Sequence, residues 1–200
     1  MSEQKIKRKV IRISMLGDST VGKTSIINAF LNVEFNNTLL SNIGIEKTET
    51  KMKMKDGNEM KLIIWDTAGQ ERFHSISTGT IKNAQGIVVS FDVTNKKTFL
   101  NVKNWLEDIR ETNDKIPIVL FGNKCDLIER RQVEEEEAQE FAKSNNLTYF
   151  ETSAKENINI KDGFKKIAQE AYEKSGGSLG MQLNNNKNKK KKDKSEGRFC

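Results

Sequence analysis

The stretch "VIRISMLGDSTVGKTSIINAF" constrains the fold of this chain more than any other. Residues 10–17 alternate like a strand, and "KTSIINAFLN" has the apolar spacing of a helix. Between them, "GDSTVGKT" at residues 17–24 matches the pattern G-x-x-x-x-G-K-[ST]. Its glycines let backbone N–H groups turn toward an anion, and the helix N-terminus adds orphan donors. A chance Gly-Lys-Thr turn explains this context less well, so we predict a phosphate-binding loop.

The rest of the chain alternates strands with helices. The runs "GIVVSFD" (86–92) and "IPIVLFG" (116–122) are typical of parallel strands covered on both faces. The pair Asp56-Gly57 predicts a hairpin that adds one antiparallel strand. Helical spacing over 97–112 places Trp105 in a buried stripe. This order predicts an α/β fold with an open, mostly parallel sheet.

The basic residues are concentrated at the C-terminus. The net charge is +6, and the stretch from residue 175 contains seven Lys/Arg against two Asp/Glu, so the body is nearly neutral. We therefore predict one domain over residues 1–174 and a disordered basic tail over 175–200. The charged start does not resemble a secretory signal, and no apolar run is long enough to span a membrane. Two well-separated cysteines, Cys125 and Cys200, fit a reducing cytosolic compartment.

Each residue of the loop has an expected role at a polyphosphate. Lys23 would place its ammonium on the β- and γ-phosphates, and the Thr24 hydroxyl would bind Mg²⁺. These features indicate a nucleoside triphosphate without naming its base. The predicted phosphate-binding residues are Gly17, Asp18, Ser19, Thr20, Val21, Gly22, Lys23 and Thr24.

"WDTAGQ" at residues 65–70 follows a second apolar strand. Asp66, at the strand's carboxyl end, suits a Mg²⁺ ligand that acts through water. Gly69 would bring its backbone N–H to a γ-phosphate, and Gln70 can orient an attacking water. The alternative is a polar turn in which Asp66 is only a cap.

"NKCD" at residues 123–126 follows the run 116–122. The Asp126 carboxylate offers paired acceptors for guanine N1–H and the N2 amino group, whereas adenine presents an acceptor at N1. Such a mismatch can discriminate by about 10⁴. Asn123 would contact the base and hold the phosphate loop, and the Lys124 stem would lie along the ring. The tetrad therefore disfavours an ATP-dependent P-loop kinase.

Several phrases together resemble the Rab-type small GTPases, the Ras-superfamily branch that marks membranes for vesicle traffic. They are "WDTAGQERF", "GNKCDL", "ETSAK" and "DVTNKKTFLNVKNWLEDI", and the likeness covers about residues 5–174. It implies a P-loop small-GTPase fold, with a six-stranded mixed sheet and helices on both faces. It also implies Mg²⁺ and GTP/GDP at the site, with slow hydrolysis. By the same resemblance, further guanine contacts come from Phe35, Ser153, Ala154 and Lys155.

Asn42 stands where these proteins carry a threonine before "IG". Its carbonyl oxygen is a hard ligand, so Asn42 can bind Mg²⁺ itself with a longer reach. Alternatively, the loop closes poorly and the contrast between GTP and GDP states shrinks. A third possibility is that Ser41 takes the role. Thr20 also replaces a usual glycine, and its methyl group can crowd the nucleotide and slow hydrolysis.

The surface expected to contact effectors also departs from the family. Of three aromatic positions, Trp65 matches, whereas Lys47 replaces a Phe and Thr80 replaces a Tyr. Because aromatic residues dominate interface hot spots, we expect common Rab effectors to bind poorly. The predicted effector surface comprises Ile43, Gly44, Lys47, Trp65 and Thr80.

The tail "NNNKNKKKKDKSEGRFC" has three interpretations: a solubilising segment, a nucleic-acid binder, or a membrane anchor. Nucleic-acid binding is disfavoured because interleaved aromatics are missing. A geranylgeranyl group on Cys200 would anchor weakly, and the lysine cluster would add the second signal. We expect reversible attachment to the cytosolic face of an endomembrane or the plasma membrane.

Two functions follow from these residues. The first is a monomeric Rab-like GTPase switch in vesicle trafficking, with an exchange factor, a GTPase-activating protein, a GDP-dissociation inhibitor or escort protein, and effectors as partners. The second is a nucleotide-holding adaptor whose switching is blunted by Asn42 and Thr20. GTP turnover discriminates between them.

Overall fold

Six strands form a single sheet in the computed structural model, which describes residues 10–32, 46–67 and 74–176. The strands are β1 (Val10–Leu16), β2 (Glu46–Lys53), β3 (Glu59–Asp66), β4 (Gly86–Asp92), β5 (Ile118–Asn123) and β6 (Thr148–Thr152). Their spatial order is β2-β3-β1-β4-β5-β6. Every neighbouring pair is parallel except β2 with β3. The predicted mixed, mostly parallel sheet is confirmed.

Helices connect the strands. They are α1 (Lys23–Phe30), α2 (His74–Asn83), α3 (Lys96–Leu100), α4 (Val102–Thr112), α5 (Glu135–Ser144) and α6 (Ile160–Lys174). The helix expected over 97–112 is divided at Asn101, which lies between α3 and α4. Helix α2 has no counterpart in the sequence prediction. Its sequence "HSISTGTIKN" is rich in Gly, Ser and Thr, which are weak helix formers.

Two hydrophobic clusters cover the two faces of the sheet. Helices α1 and α6 pack on one face, where Ile13, Leu62 and Phe164 are fully buried. Helices α4 and α5 pack on the other face, where Val89 and Ile109 are fully buried. All seven residues of β4 are buried, as expected for a parallel strand covered on both sides.

The predicted hairpin joins β2 to β3. Gly57 has φ +83°, a left-handed conformation that glycine adopts without strain. The Met54 and Gly57 backbone N–H groups close the turn, by donating to Asn58 O at 2.8 Å and to Met54 O at 2.9 Å. Tyr172 of α6 donates its hydroxyl to Asp56 at 2.8 Å, which fastens the turn to the last helix.

The carboxyl ends of the parallel strands lie at one edge of the sheet. Residues 17–22 follow β1, Asp66 ends β3, Asn123 ends β5 and Thr152 ends β6. In open α/β sheets, ligands bind at this edge. Segments that are far apart in the sequence therefore converge there.

Candidate nucleotide-binding site

Two glycines of the phosphate loop are required by close packing. Gly17 has φ +137°, and a Cβ there would lie 2.1 Å from the Ser90 carbonyl oxygen. Gly22 has φ +99°, and a Cβ there would lie 2.5 Å from Asn123 Nδ2. A larger residue at either position would collide with a neighbouring segment, so the loop can follow this path only with glycine.

Lys23 begins α1 and lies across the loop. Its side chain is 4% exposed, and Nζ donates to the carbonyl oxygens of Gly17 and Asp18, both at 2.8 Å. A buried ammonium within a loop of turned backbone groups suits an anion with several charges. The loop and Lys23 thus form the phosphate side of the site.

The other predicted loop residues differ in their surroundings. Val21 is fully buried, Ser19 is half-buried and Thr20 is exposed. Thr20 has φ +66°, which is strained for a β-branched residue. The Asp18 carboxylate is bound by α4 and its preceding residue, since Asn101 Nδ2 and Trp105 Nε1 both donate to it.

Two side-chain oxygen atoms that could ligate a metal ion meet between α1 and β3. Thr24 Oγ1 donates to Asp66 Oδ2 at 2.5 Å, although the two residues are 42 positions apart. Asp66 is 3% exposed. A hydroxyl and a carboxylate are ligands that Mg²⁺ prefers, so this donor set fits the metal. Asn42, Gly69 and Gln70 lie outside the described residues.

Asn123 joins three segments of the site. It is 1% exposed, and its Nδ2 donates to the Val21 carbonyl oxygen of the phosphate loop at 2.8 Å. Its Oδ1 accepts from the Ala154 backbone N–H at 3.2 Å. The predicted link between "NKCD" and the phosphate loop is present, and the same side chain also holds the "ETSAK" segment.

Asp126 lies on a pocket of about 270 Å³. Ser153 Oγ donates to Asp126 Oδ1 at 2.7 Å, which fixes the orientation of the carboxylate. Five of the seven guanine-binding candidates line this pocket. Of the other two, Ser153 is not among the lining residues, and Phe35 lies outside the described residues. The lining residues are Gly22, Ser25, Asn123, Lys124, Asp126, Leu127, Ala154 and Lys155.

Lys124 bridges the base side and the phosphate side. Its Nζ lies 2.5 Å from Asp92 Oδ2 and 2.9 Å from the Thr20 carbonyl oxygen. Lys124 itself has φ +69°, so the turn after β5 holds it in a left-handed conformation. The alkyl stem is thereby fixed beside the pocket that its residue lines.

Burial raises the pKa of the Cys125 thiol, and the nearby Glu151 and Asp126 carboxylates raise it further. The thiolate is the reactive form of cysteine. The cysteine within "NKCD" is therefore disfavoured as a nucleophile.

Sequence reasoning missed an ion pair behind the "ETSAK" segment. Arg131 donates to both carboxylate oxygens of Glu151 at 2.7 Å, with side-chain exposures of 17% and 14%. The pair raises the pKa of Arg131 above its ordinary value. Tyr149 donates to Glu151 at 3.2 Å, and its pKa is raised by burial and then by Glu151. No motif signals this pairing, because it depends on the end of β6 reaching the 3₁₀ turn at Ile128–Arg130.

Lys47 and Trp65 are direct partners in the β2–β3 register, so their side chains share one face of the sheet. Lys47 is exposed and Trp65 is half-buried. Lys47 Nζ lies 2.6 Å from Glu49 Oε1, and Lys61 also pairs with Glu49. With lysine instead of an aromatic residue at this position, the side chains of Lys47, Glu49 and Lys61 form a charged ladder beside Trp65.

Thr80 does not occupy the exposed surface that the sequence predicts. Its side chain is 4% exposed, and its carbonyl oxygen accepts from Ser14 Oγ at 3.3 Å. Helix α2 holds this short residue against β1, where it is buried. Thr80 is therefore not exposed in this structure, and its predicted contact with effectors stays a prediction. Ile43, Gly44 and Cys200 lie outside the described residues.

The fold and this site define a nucleotide-binding protein of the P-loop class. The model of the Ras family matches residues 12–173. The chain is 40% identical to Ras-related protein Rab-13 of Bos taurus over 179 residues, covering 89% of this chain and 87% of the relative. It is 41% identical to Rab-10 of Diplobatis ommata over 167 residues, covering 83% of each. The identity to Rab-8 of Diplobatis ommata is 38% over 186 residues, covering 92% and 86%. The chain belongs to the Ras family and is a Rab-type small GTPase.

Membership of this family establishes the activity in general terms. The protein is a GTPase that binds GTP and GDP and acts in vesicle trafficking. The adaptor alternative is not favoured. Among the described residues, no helix is long and apolar enough to cross a membrane.

Proposed function

We propose that this protein is a slow GTP-hydrolysing switch that cycles between the cytosol and the cytosolic face of an endomembrane or the plasma membrane. The observation that carries the proposal is the convergence of three elements at one sheet edge. They are the Lys23 loop, the pair Thr24 and Asp66, and the pocket beside Asp126. Together they would bind the phosphates, the metal cation and the base of one nucleotide.

Thr24 and Asp66 would hold Mg²⁺, with Asp66 acting through water. When bound, the ion would neutralise charge on the β- and γ-phosphates. Asn42 remains the candidate for a further ligand. Gln70 would orient the attacking water, and the Gly69 N–H would contact the γ-phosphate.

The base would enter between Lys124 and Lys155, with Phe35 beside it. Ser153 orients Asp126 through a 2.7 Å hydrogen bond, so the carboxylate needs no rearrangement to accept two N–H donors. A preorganised acceptor of this kind favours guanine, because adenine would leave the carboxylate facing a lone pair.

Partners would contact two parts of the chain. The charged ladder beside Trp65, with Ile43 and Gly44, would select effectors; Lys47 disfavours those that need an aromatic there. An exchange factor, a GTPase-activating protein and a GDP-dissociation inhibitor or escort protein would regulate the cycle. The tail over 175–200 would bind anionic lipid through its lysines and a prenyl group on Cys200, with residues 1–174 as the nucleotide-binding domain.

Single-turnover GTP hydrolysis tests the catalytic proposal. The unmutated protein should release phosphate above the buffer rate, and Gln70→Leu should slow it by about 10-fold or more. Gln139→Leu is a matched control, since Gln139 is an exposed residue of α5 that bonds only to Glu135 among the contacts described. Absence of turnover in the unmutated protein would refute the switch mechanism.

Retention of partners on the immobilised protein tests switching. Protein loaded with a non-hydrolysable GTP analogue should retain proteins that the GDP-loaded form does not. Identical partners on both forms would instead support the adaptor function.

Cys200→Ser should lose membrane association in cells while keeping its nucleotide affinity.

A further inference from the structure

Asp18 accepts hydrogen bonds through both its backbone carbonyl and its side chain, which its position in the phosphate loop does not predict. Its carbonyl oxygen accepts from Lys23 Nζ at 2.8 Å. Its carboxylate Oδ1 accepts from Asn101 Nδ2 at 2.5 Å and from Trp105 Nε1 at 2.9 Å. The two side-chain partners lie 83 and 87 positions away. One loop residue thus joins the lysine of the phosphate side to α4.

The two donors to the carboxylate are themselves fixed. Trp105 is 8% exposed and belongs to the same core cluster as Leu106 and Ile109, so its ring has little freedom to turn. Asn104 Nδ2 donates to Asn101 Oδ1 at 2.6 Å, which leaves Asn101 Nδ2 for Asp18. Asp18 Oδ1 therefore accepts from two side chains that are already held in place.

A carboxylate in a phosphate loop is unfavourable if it is free to face the anion, because like charges repel. Hydrogen bonds to a charged acceptor are stronger than neutral ones. Two such bonds, one from Asn101 just before α4 and one from Trp105 within it, would hold the Asp18 carboxylate against the helix. They would fix the backbone of the loop at the same time.

We infer that Trp105 and Asn101 are positioning residues for nucleotide binding, which act by holding the Asp18 carboxylate against α4. This inference rests on the proposed nucleotide site. Its consequence is slow nucleotide release: the loop keeps its binding conformation only while Trp105 of α4 and Asn101, the residue before α4, both donate to Asp18.

Dissociation of a fluorescent GDP derivative from the full chain tests the inference. Trp105→Phe keeps an aromatic ring in the core and removes the N–H donor together with part of the indole ring, so its effect is interpreted only beside Asn101→Ala and the double mutant below. We expect it to accelerate dissociation about tenfold, the size of one lost bond to a charged group. Asn101→Ala provides a second variant outside the core, with an expected acceleration of about threefold to tenfold.

A double-mutant cycle separates positioning from general destabilisation. Asp18→Ala should accelerate dissociation, and adding Trp105→Phe to it should change the rate less than twofold, because the acceptor is already gone. Asp18→Asn keeps an acceptor oxygen and should preserve most of the slow release. Ile109→Val is the matched control: it is buried in the same helix, touches no loop group in the bonds described, and should leave the rate within twofold.

Three results would overturn the inference. They are an unchanged rate in both Trp105→Phe and Asn101→Ala, an equal acceleration in Ile109→Val, and a full Trp105→Phe effect in the Asp18→Ala background. If the unmutated protein does not bind GDP, the proposed function fails together with the inference. If it binds GDP and any of the three results is seen, only the inference fails.

Discussion

At the scale of single residues, Thr20 shows how a phosphate loop accepts an unfavourable side chain. Its φ of +66° lies in the left-handed region, where an L-residue costs about 1–2 kcal/mol. Its carbonyl oxygen is held by Lys124 Nζ, and the exposed side chain has room. The surrounding bonds fix the backbone, and threonine tolerates the resulting strain.

Thr20→Gly should stabilise the protein by about 1 kcal/mol, since the relief of strain exceeds the added entropy of the unfolded chain. Urea unfolding of both proteins in the same nucleotide state measures this difference. Thr112→Gly makes the same change at a helical position without positive φ and should cost about 0.3 kcal/mol, the difference between the helix propensities of Thr and Gly. A Thr20→Gly protein less stable than the original would contradict the strain argument.

Glu49 gives a pH-dependent prediction. Hydrogen bonds from Lys47 and then Lys61 lower its pKa from 4.5 to about 2. Because the folded-state pKa lies below the unfolded one, this stabilisation is present above about pH 4.5 and is lost as the pH falls toward 2. The stability difference between the protein and Glu49→Gln should therefore shrink between pH 6 and pH 3 in urea unfolding.

Lys47→Met tests the cause of that shift. Without its first hydrogen-bond partner, the pKa of Glu49 should move back toward 4.5 in an NMR titration of the carboxyl carbon. A stability difference between Glu49→Gln and the original protein that is constant from pH 6 to pH 3 would show that the ladder does not perturb Glu49.

At the scale of elements, Gly163 sets how closely α6 approaches the sheet. A Cβ at this position would lie 2.3 Å from two ring atoms of Phe121, a fully buried residue of β5. Phe164, next to Gly163, also meets the Phe121 ring, edge to face, with centroids 5.9 Å apart. The helix therefore requires a glycine in its interior, against its intrinsic preference.

Gly163→Ala should destabilise the protein by about 1–3 kcal/mol, because overpacking exceeds the gain in helix propensity. Gly79→Ala is the matched control: Gly79 lies in α2, and a Cβ there would have no neighbour within 4 Å among the residues that the structure describes. It should be neutral or stabilising by up to about 1 kcal/mol. Thermal unfolding of the two variants measures the contrast, and equal effects would show that packing against Phe121 is not limiting.

At the scale of the whole molecule, the site links segments from the first to the last strand. A ligand that binds all of them stabilises the folded state over the unfolded one, by about 2.7 kcal/mol at 100 times its dissociation constant. Excess GDP should therefore raise the urea midpoint, whereas ATP at the same concentration should not. An equal shift with ATP would contradict guanine selection by Asp126.

The mostly parallel sheet and the segments that follow its strands could be predicted because their signals are local. The phosphate loop, Asp66 and "NKCD" each follow an apolar run, and the carboxyl ends of parallel strands meet at one edge. The helix α2 could not be predicted, because its periodicity is weak and Gly79 interrupts it. The break at Asn101 was also missed, since apolar spacing alone continues through it.

The sequence by itself determined the class of fold, the glycine-rich loop after β1, the carboxylate that we propose selects guanine, and the charged replacement at Lys47. These depend on residues adjacent in the chain or on the period of one element. Only the tertiary structure decided that Asp18 is bound by Trp105, that Arg131 pairs with Glu151, and that Thr80 is buried. Each of these depends on how separate elements pack, and packing distances are set by the whole core rather than by any local pattern.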